Sequence, residues 1–193
     1  MLLNPRVSPV TLETERLILR IPQLGDAEVM AAFFRENAAF LQPFYPTFEP
    51  SIFTRNGWQE RIRAIHEEYW RGRSVRLSLF VKQGTLEVVG VANFTTIQRD
   101  AMQGCNLGYS VGEKWEGQGL MSETLRAAIP YIFEQLKLHR IAANYMPSNA
   151  RSAKVLESLG FQTEGLAKDY LRIDGRWEDH VLTALLNPAW HPT

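Results

Sequence analysis

The sequence has little of several things that would narrow its function at once. It holds one cysteine, Cys105, which rules out an intramolecular disulfide and suits a reducing cytosol. A small buried residue at the start of a strand is a simpler reading of that thiol than a nucleophile. The 21 basic and 21 acidic side chains cancel, so the overall basic field that draws proteins to nucleic acid is missing, and no direct nucleic-acid binding is expected. No run approaches the roughly 18 consecutive apolar residues of a membrane span. The opening MLLNPRVSPV has no apolar core of signal-peptide length. His66, His139, His180 and His191 show no paired ligand spacing, so no metal is expected. Internal repeats, low-complexity tracts and linkers are also missing. The nearest thing to a boundary is Gln42–Ser51, with three prolines, short and aromatic enough to be a loop within one domain.

What is present is ordinary material for a core: 45% hydrophobic and 22% charged residues in 193, enough for one domain. Arg16–Ile21 alternates as a strand. Asp26 stands where a cap would begin a helix through about Glu36, with Val29, Met30, Phe33 and Phe34 inward. Phe40-Leu41-Gln42-Pro43-Phe44-Tyr45-Pro46 reads as a stiff aromatic segment, either a lid on the core or the lip of a cleft. A helix is predicted over Thr54–Arg71, with Trp58, Ile62, Ile65 and Tyr69 inward. Strands follow over Val75–Lys82 and Glu87–Thr96, joined by a turn at Gln83–Thr85, and then Cys105–Val111.

The most informative stretch runs from Leu107 to Leu138. A short apolar strand, Leu107–Val111, enters a turn, Gly112–Gly119, with three glycines. The period then becomes helical, with Met121, Leu125, Ile129, Ile132 and Leu136 on one face of Leu120–Leu138. Pro130 inside that helix predicts a kink. A strand feeding a glycine turn feeding a helix leaves orphan N–H groups at the positive end of the helix dipole, where phosphate binds readily. No Gly-Lys-Ser/Thr closes the turn, so it is not a P-loop. Ser122 stands where a dinucleotide fingerprint needs its third glycine, and no acidic residue ends the next strand, Arg140–Met146. A tight connection with no ligand is the bland alternative. Ala150–Leu159 then forms a helix capped by Ser148 or Asn149, with Gly160 past its end. Glu164–Ile173 and Arg176–Leu186 form a hairpin through Asp174-Gly175. Strands and helices mix without strict alternation, which predicts an α+β fold with helices flanking a sheet.

Lys114-Trp115-Glu116-Gly117-Gln118-Gly119 resembles the pyrophosphate loop of the GCN5-related N-acetyltransferases (GNAT), Arg/Gln-x-x-Gly-x-Gly/Ala, with Lys114 at the first position. Asn149-Ala150-Arg151-Ser152, followed by Val155-Leu156 and Leu159-Gly160-Phe161, resembles the second coenzyme A motif of that family at a fitting separation. The resemblance covers about Thr11–Leu186. Through Val91–Phe94, GYSVGEKWEGQGLM and ANYMPSNARSAKVLESLGF it is closest to the Rim group of ribosomal-protein N-terminal acetyltransferases. It implies a single acetyltransferase domain with a mixed, mostly antiparallel sheet. The strands Leu107–Val111 and Arg140–Met146 would splay apart to admit acetyl-CoA. It also implies transfer of acetyl to the N-terminal α-amine, an alanine, of a ribosomal protein in the cytoplasm. A small-amine acetyltransferase and a coenzyme A-binding or ribosome-associated module without turnover are the competing functions.

Amine attack on a thioester needs two reactants held together and a donor at the developing oxyanion. The backbone N–H of Val111 is the expected donor. The resemblance implies coenzyme A contacts from Leu107, Tyr109, Val111, Lys114, Gly117, Gln118, Gly119, Leu120, Asn149 and Ser152. The hydroxyl of Ser152 would steady the leaving thiolate, with Tyr145 and Tyr170 as alternative donors. Asp169 is the expected base; Glu164 and His180 are its rivals.

Overall fold

The computed structural model describes residues 9–84 and 86–191. The N-terminal reading of residues 1–8 and the Thr85 end of the Gln83–Thr85 turn lie outside them. Eight strands form one sheet: β1 (Thr11–Glu13), β2 (Leu17–Arg20), β3 (Val75–Val81), β4 (Val88–Gln98), β5 (Gly104–Val111), β6 (Arg140–Tyr145), β7 (Gln162–Ile173) and β8 (Arg176–Leu186). Their order is β1-β2-β3-β4-β5-β6-β8-β7. Every neighbouring pair is antiparallel except β5 and β6. Four helices, α1 (Ala27–Leu41), α2 (Arg55–Trp70), α3 (Leu120–Leu136) and α4 (Ala150–Ser158), complete the α+β fold.

Two cores separate the layers. On one face, Met30, Phe33 and Phe34 of α1 and Trp58 and Ile62 of α2 pack on Phe80, Val88 and Val91. On the other, the predicted stripe Met121, Leu125, Ile129, Ile132 and Leu136 of α3 packs on Leu77, Ala92, Phe94 and Leu107. Alternating strand residues supply both cores, as the pleat requires. Pro130 and Arg126 are both exposed, so the Arg126 carbonyl that loses its donor faces the solvent side, and α3 continues as one span.

Several boundaries moved. The helix predicted to end near Glu36 runs to Leu41, so Phe40 and Leu41 belong to α1 and only Gln42–Phe44 forms a 3-10 turn beyond it. Asp26 makes no capping bond to α1; its carboxylate grips Arg20 at 2.5 and 2.9 Å and accepts from the Gln23 N–H at 2.6 Å. The strand β1 was not foreseen, because three residues are too few to show a period. α3 stops at Leu136, two residues short of the predicted end, as Lys137 turns left-handed with φ 52. The hairpin formed as expected: Asp174 and Gly175 both have positive φ, the geometry of a tight two-residue turn.

Phe94 is wholly buried in the α3-facing core, while Trp177 on β8 is 62% exposed. Phe94→Ala should therefore cost about 3–5 kcal/mol of stability, and Trp177→Ala within about 0.5 kcal/mol. Denaturant titration of the two variants checks the contrast; equal losses would contradict the packing described.

Candidate active site

The sheet opens between β5 and β6. Only Gly104, Cys105 and Asn106 pair with Arg140, Ile141 and Ala142. Beyond them Leu107–Val111 pairs only with β4, and Ala143–Tyr145 only with β8. These are the splayed strands that the family resemblance implied. A cleft of about 410 Å³ lies there. Leu107, Tyr109, Val111, Asn149 and Ser152 line it, together with Phe40, Phe44, Tyr45 and Pro46 of the aromatic segment, which is a lip of this cleft.

Strand geometry sets the direction of the Val111 amide. The Gly112 N–H donates to the Val89 carbonyl on β4 at 2.9 Å. Successive N–H groups of a strand point in opposite directions. The Val111 and Tyr109 N–H groups therefore face away from β4, into the opening.

At one end of the opening lies the glycine turn. Gly117 and Gly119 have φ of 70° and 74°, left-handed backbone that L side chains adopt only with strain. A Cβ at Gly117 would meet nothing within 4 Å, and at Gly119 only Arg16 at 3.9 Å. Backbone conformation, rather than crowding by the protein, is the reason for glycine here. The first bond of α3 runs from the Glu123 N–H to the Gly119 carbonyl at 3.0 Å, so the N–H groups of Leu120, Met121 and Ser122 precede the helical ladder. Gln118 braces the turn through its side chain, which donates to the Lys114 carbonyl at 2.9 Å. Lys114 itself is exposed and paired with Glu87.

Two braces come from far along the chain, and the sequence reading missed both. Arg16 donates to the Gln118 carbonyl at 2.9 Å and to Glu123 at 2.7 Å. Nothing local to Arg16 signals this. Asn37, buried in α1, donates to the Phe33 carbonyl and accepts from the Glu113 N–H, both at 2.8 Å. Its place one helical turn after Phe33, on the apolar face, was a signal available in the sequence.

Opposite the turn, Asn149 caps α4 by accepting from the Ser152 N–H at 3.0 Å. The Ser152 hydroxyl meets the Tyr109 hydroxyl at 2.8 Å across the opening. Burial pushes the Tyr109 phenol up to about 12, the bond to Ser152 acting the other way, so it stays protonated at neutral pH. Arg151 pairs with Glu116 of the turn and lies 5.5 Å over the Phe40 ring, linking α4, the turn and the lip. Tyr45 closes the inner wall: its hydroxyl meets the Ser110 hydroxyl at 2.7 Å, and its carbonyl accepts from the Asp174 N–H at 2.9 Å.

The expected bases separate. Asp169 does not line the cleft. It sits exposed in the bulge between Ala167 and Leu171, with φ 45 and its N–H on Asp179 at 3.1 Å. The bulge re-aims the strand there, which an alternating pattern cannot show. Glu164 is paired with Arg140 at 2.6 Å, also away from the cleft. His180 is buried and lines it. Its Nδ1 lies 3.0 Å from the Glu178 carbonyl. A carbonyl only accepts, so Nδ1 carries the proton and the neutral ring keeps its lone pair on Nε2. Tyr145 also lines the cleft; Tyr170 is 41% exposed, its hydroxyl accepting from Asn144 at 3.3 Å. Cys105 is buried and its thiol is pushed up to about 12 by that burial, with Arg99 opposing, which makes it inert. No group of three or more His, Cys, Asp or Glu gathers among the described residues, and no helix among them is long and apolar enough to cross a membrane.

A sheet parted between two parallel strands, with a left-handed glycine turn at a helix N-terminus beside the gap, defines an acetyltransferase fold. Residues 16–162 match the acetyltransferase (GNAT) domain model, and the chain belongs to that family as an acetyl-CoA-dependent N-acetyltransferase. It is 47% identical over 186 residues to the [ribosomal protein uS5]-alanine N-acetyltransferase of Escherichia coli (strain K12), covering 96% of this chain and 95% of that one. Among solved structures it resembles the ribosomal-protein-S5-alanine acetyltransferase of Vibrio fischeri, with TM-score 0.91 and 34% identity over 95% of this chain and 100% of that one. It also resembles Mycobacterium smegmatis RimJ in complex with CoA-disulfide, with TM-score 0.85 and 27% identity over 92% and 88%.

Gly119→Val forces a β-branched residue to φ near 74°, a genuine outlier. Affinity for coenzyme A should fall about tenfold or more. Gly25→Ala, where φ is ordinary and a Cβ meets nothing within 4 Å, should leave it unchanged. Calorimetric titration decides; full affinity in a folded Gly119→Val would remove the turn from the binding site.

Proposed function

We propose that this chain transfers the acetyl group of acetyl-CoA to the N-terminal α-amine of a protein, an alanine, with ribosomal protein uS5 as the first acceptor to test. The supporting observation is that one cleft holds, around a single opening, a backbone donor, a hydroxyl pair and a buried imidazole. The 47% identity to the Escherichia coli enzyme along 96% of the chain supports the acceptor. A cytoplasmic setting follows from that acceptor.

The roles follow from placement. The N–H groups of Leu120, Met121 and Ser122, with the left-handed backbone at Gly117 and Gly119, receive the phosphates. The Tyr109 and Val111 N–H groups face the opening, where the thioester arm would complete the pairing that β6 does not provide. Val111 is the donor to the developing oxyanion. Ser152, its amide fixed by Asn149 and its hydroxyl by Tyr109, is placed to donate to the leaving sulfur. A thiol near 8.5 needs only a hydrogen bond to leave. Asn149, whose amide nitrogen is not used in the cap, lines the same wall. His180 replaces Asp169 as the base, taking the amine proton on Nε2 directly or through a water.

Energetics favour an α-amine. Neutralising it at pH 7 costs roughly 1 kcal/mol from a pKa of about 7.7–8.0, against roughly 4.6 kcal/mol for a lysine near 10.4. One imidazole is sufficient for the first task.

Two measurements test this reading. Ser152→Ala should lower kcat roughly tenfold or more with little change in acetyl-CoA affinity, and Tyr109→Phe should lower kcat less. A rise in KM alone would make Ser152 a capping residue only. For the acceptor, an alanine-initiated peptide containing lysines should gain one acetyl group, on its first residue. The rate should climb through about pH 7.7–8.0 and then level. Mass mapping that finds acetyl on lysine side chains would overturn the assignment to α-amines.

A further inference from the structure

Beside the cleft lies a second cavity of about 290 Å³, between α2 and strands β3 and β4. Tyr45 and Asn93 line both spaces and form their common wall. Asn93 pairs across the sheet with Arg76 on one side and Gly108 on the other. The three therefore share one face, and Gly108, lacking a side chain, leaves that row open to the cleft.

The cavity lining is apolar at Phe34, Trp58 and Val91 and charged at Arg61, Glu68 and Arg76. Two of those charges satisfy each other. The Arg76 Nε donates to Glu68 at 3.1 Å, and the Ser74 hydroxyl donates to the same oxygen at 2.7 Å. Burial opposes ionisation of Glu68, but these bonds and the Arg76 charge hold its carboxyl below the usual range. Arg61 is left over. Its Nη2 donates to the Ser51 hydroxyl at 3.3 Å, it has no carboxylate partner among the described residues, and its Nε is buried without an acceptor. A buried donor with nothing to bond costs free energy until something supplies the acceptor.

The outer side of the cleft is bridged. The hairpin tip donates from the Asp174 N–H to the Tyr45 carbonyl at 2.9 Å, which ties it to the lip. An acceptor chain whose first amine sits in the cleft thus leaves beneath that bridge, along the Asn93 row, advancing about 3.3 Å per extended residue. We propose that the second cavity receives an acidic side chain carried within the first few residues of the acceptor, its carboxylate paired by Arg61. The inference rests on the reading of this enzyme as an acetyltransferase of polypeptide N-termini, and it adds a determinant of which N-termini are used.

The test uses the full chain, acetyl-CoA and alanine-initiated peptides in which each of the second to fifth residues is in turn Glu, Gln or Lys. At one of these positions the Glu peptide should be used roughly threefold to tenfold better than the Gln peptide, through KM. Added salt should shrink that ratio. Arg61→Gln should bring it close to one, and Arg61→Lys should keep it above one. Equal use of Glu and Gln peptides at every position, with the peptides acetylated, overturns the inference and leaves the proposed function standing. So does a ratio that survives Arg61→Gln. The wild-type comparison decides the matter even should Arg61→Gln not fold. Failure to acetylate any peptide defeats the proposed function, and this inference with it.

Discussion

The sheet is held together across its middle by three residue pairs. After Asn106 and Ala142 the two central strands stop bonding to each other, and the rest of the site depends on that parting. A continuous ladder would consume the N–H groups of Tyr109 and Val111 on β6. The gap leaves them directed at a space lined by residues of eight elements: α1, α3, α4, β4, β5, β6, β7 and β8. Buried backbone groups without partners are costly, so such a gap is stable only where it opens to solvent or to a ligand able to pair with the strand edge.

Contacts across the opening come from residues distant in sequence. Tyr109 and Ser152 meet hydroxyl to hydroxyl, and Glu116 and Arg151 pair between turn and helix. Arg16 and Asn37 fasten the glycine turn from β2's edge and from α1. Tyr45 joins the lip both to β5, through Ser110, and to the hairpin, through Asp174. Arg16 to Glu123 is an exposed pair and contributes little energy by itself. Its bond to the Gln118 carbonyl matters more for geometry, since it holds a turn whose two left-handed glycines have no side chains to hold it. Burial of Tyr45 raises its phenol, with the Ser110 bond opposing, so Tyr45, like Tyr109, faces the cleft as a neutral phenol.

Much of this was legible in the residues themselves. The period change at Leu120, the paired glycines at 117 and 119, the Asp174-Gly175 turn and the alternation of Arg16–Ile21 each express local physics: helical or extended periodicity, or a φ that only certain residues tolerate. These produced the α+β fold class, the left-handed glycine turn leading into α3, and the cap at Asn149. The resemblance carried by Lys114–Gly119 and Asn149–Ser152 supplied the family and the splay.

Local patterns could not say which side chains meet. Asp169 and His180 lie on paired strands of one hairpin and both are titratable, so by sequence they were rivals. A bulge after Ala167 turns Asp169 out to solvent, while the pleat of β8 buries His180 beside the cleft. Arg61 reads as one more arginine on a solvated helix, and only the packing of α2 against β3 and β4 leaves its Nε buried and unpaired. The sequence by itself determined the elements, their turns and the left-handed backbone of the glycine turn, because short-range sterics and periodicity act within a few residues. The tertiary structure alone decided which titratable side chains line the cleft, the braces and the second cavity, because burial and hydrogen-bond partnership are properties of residues brought together from up to 107 positions apart.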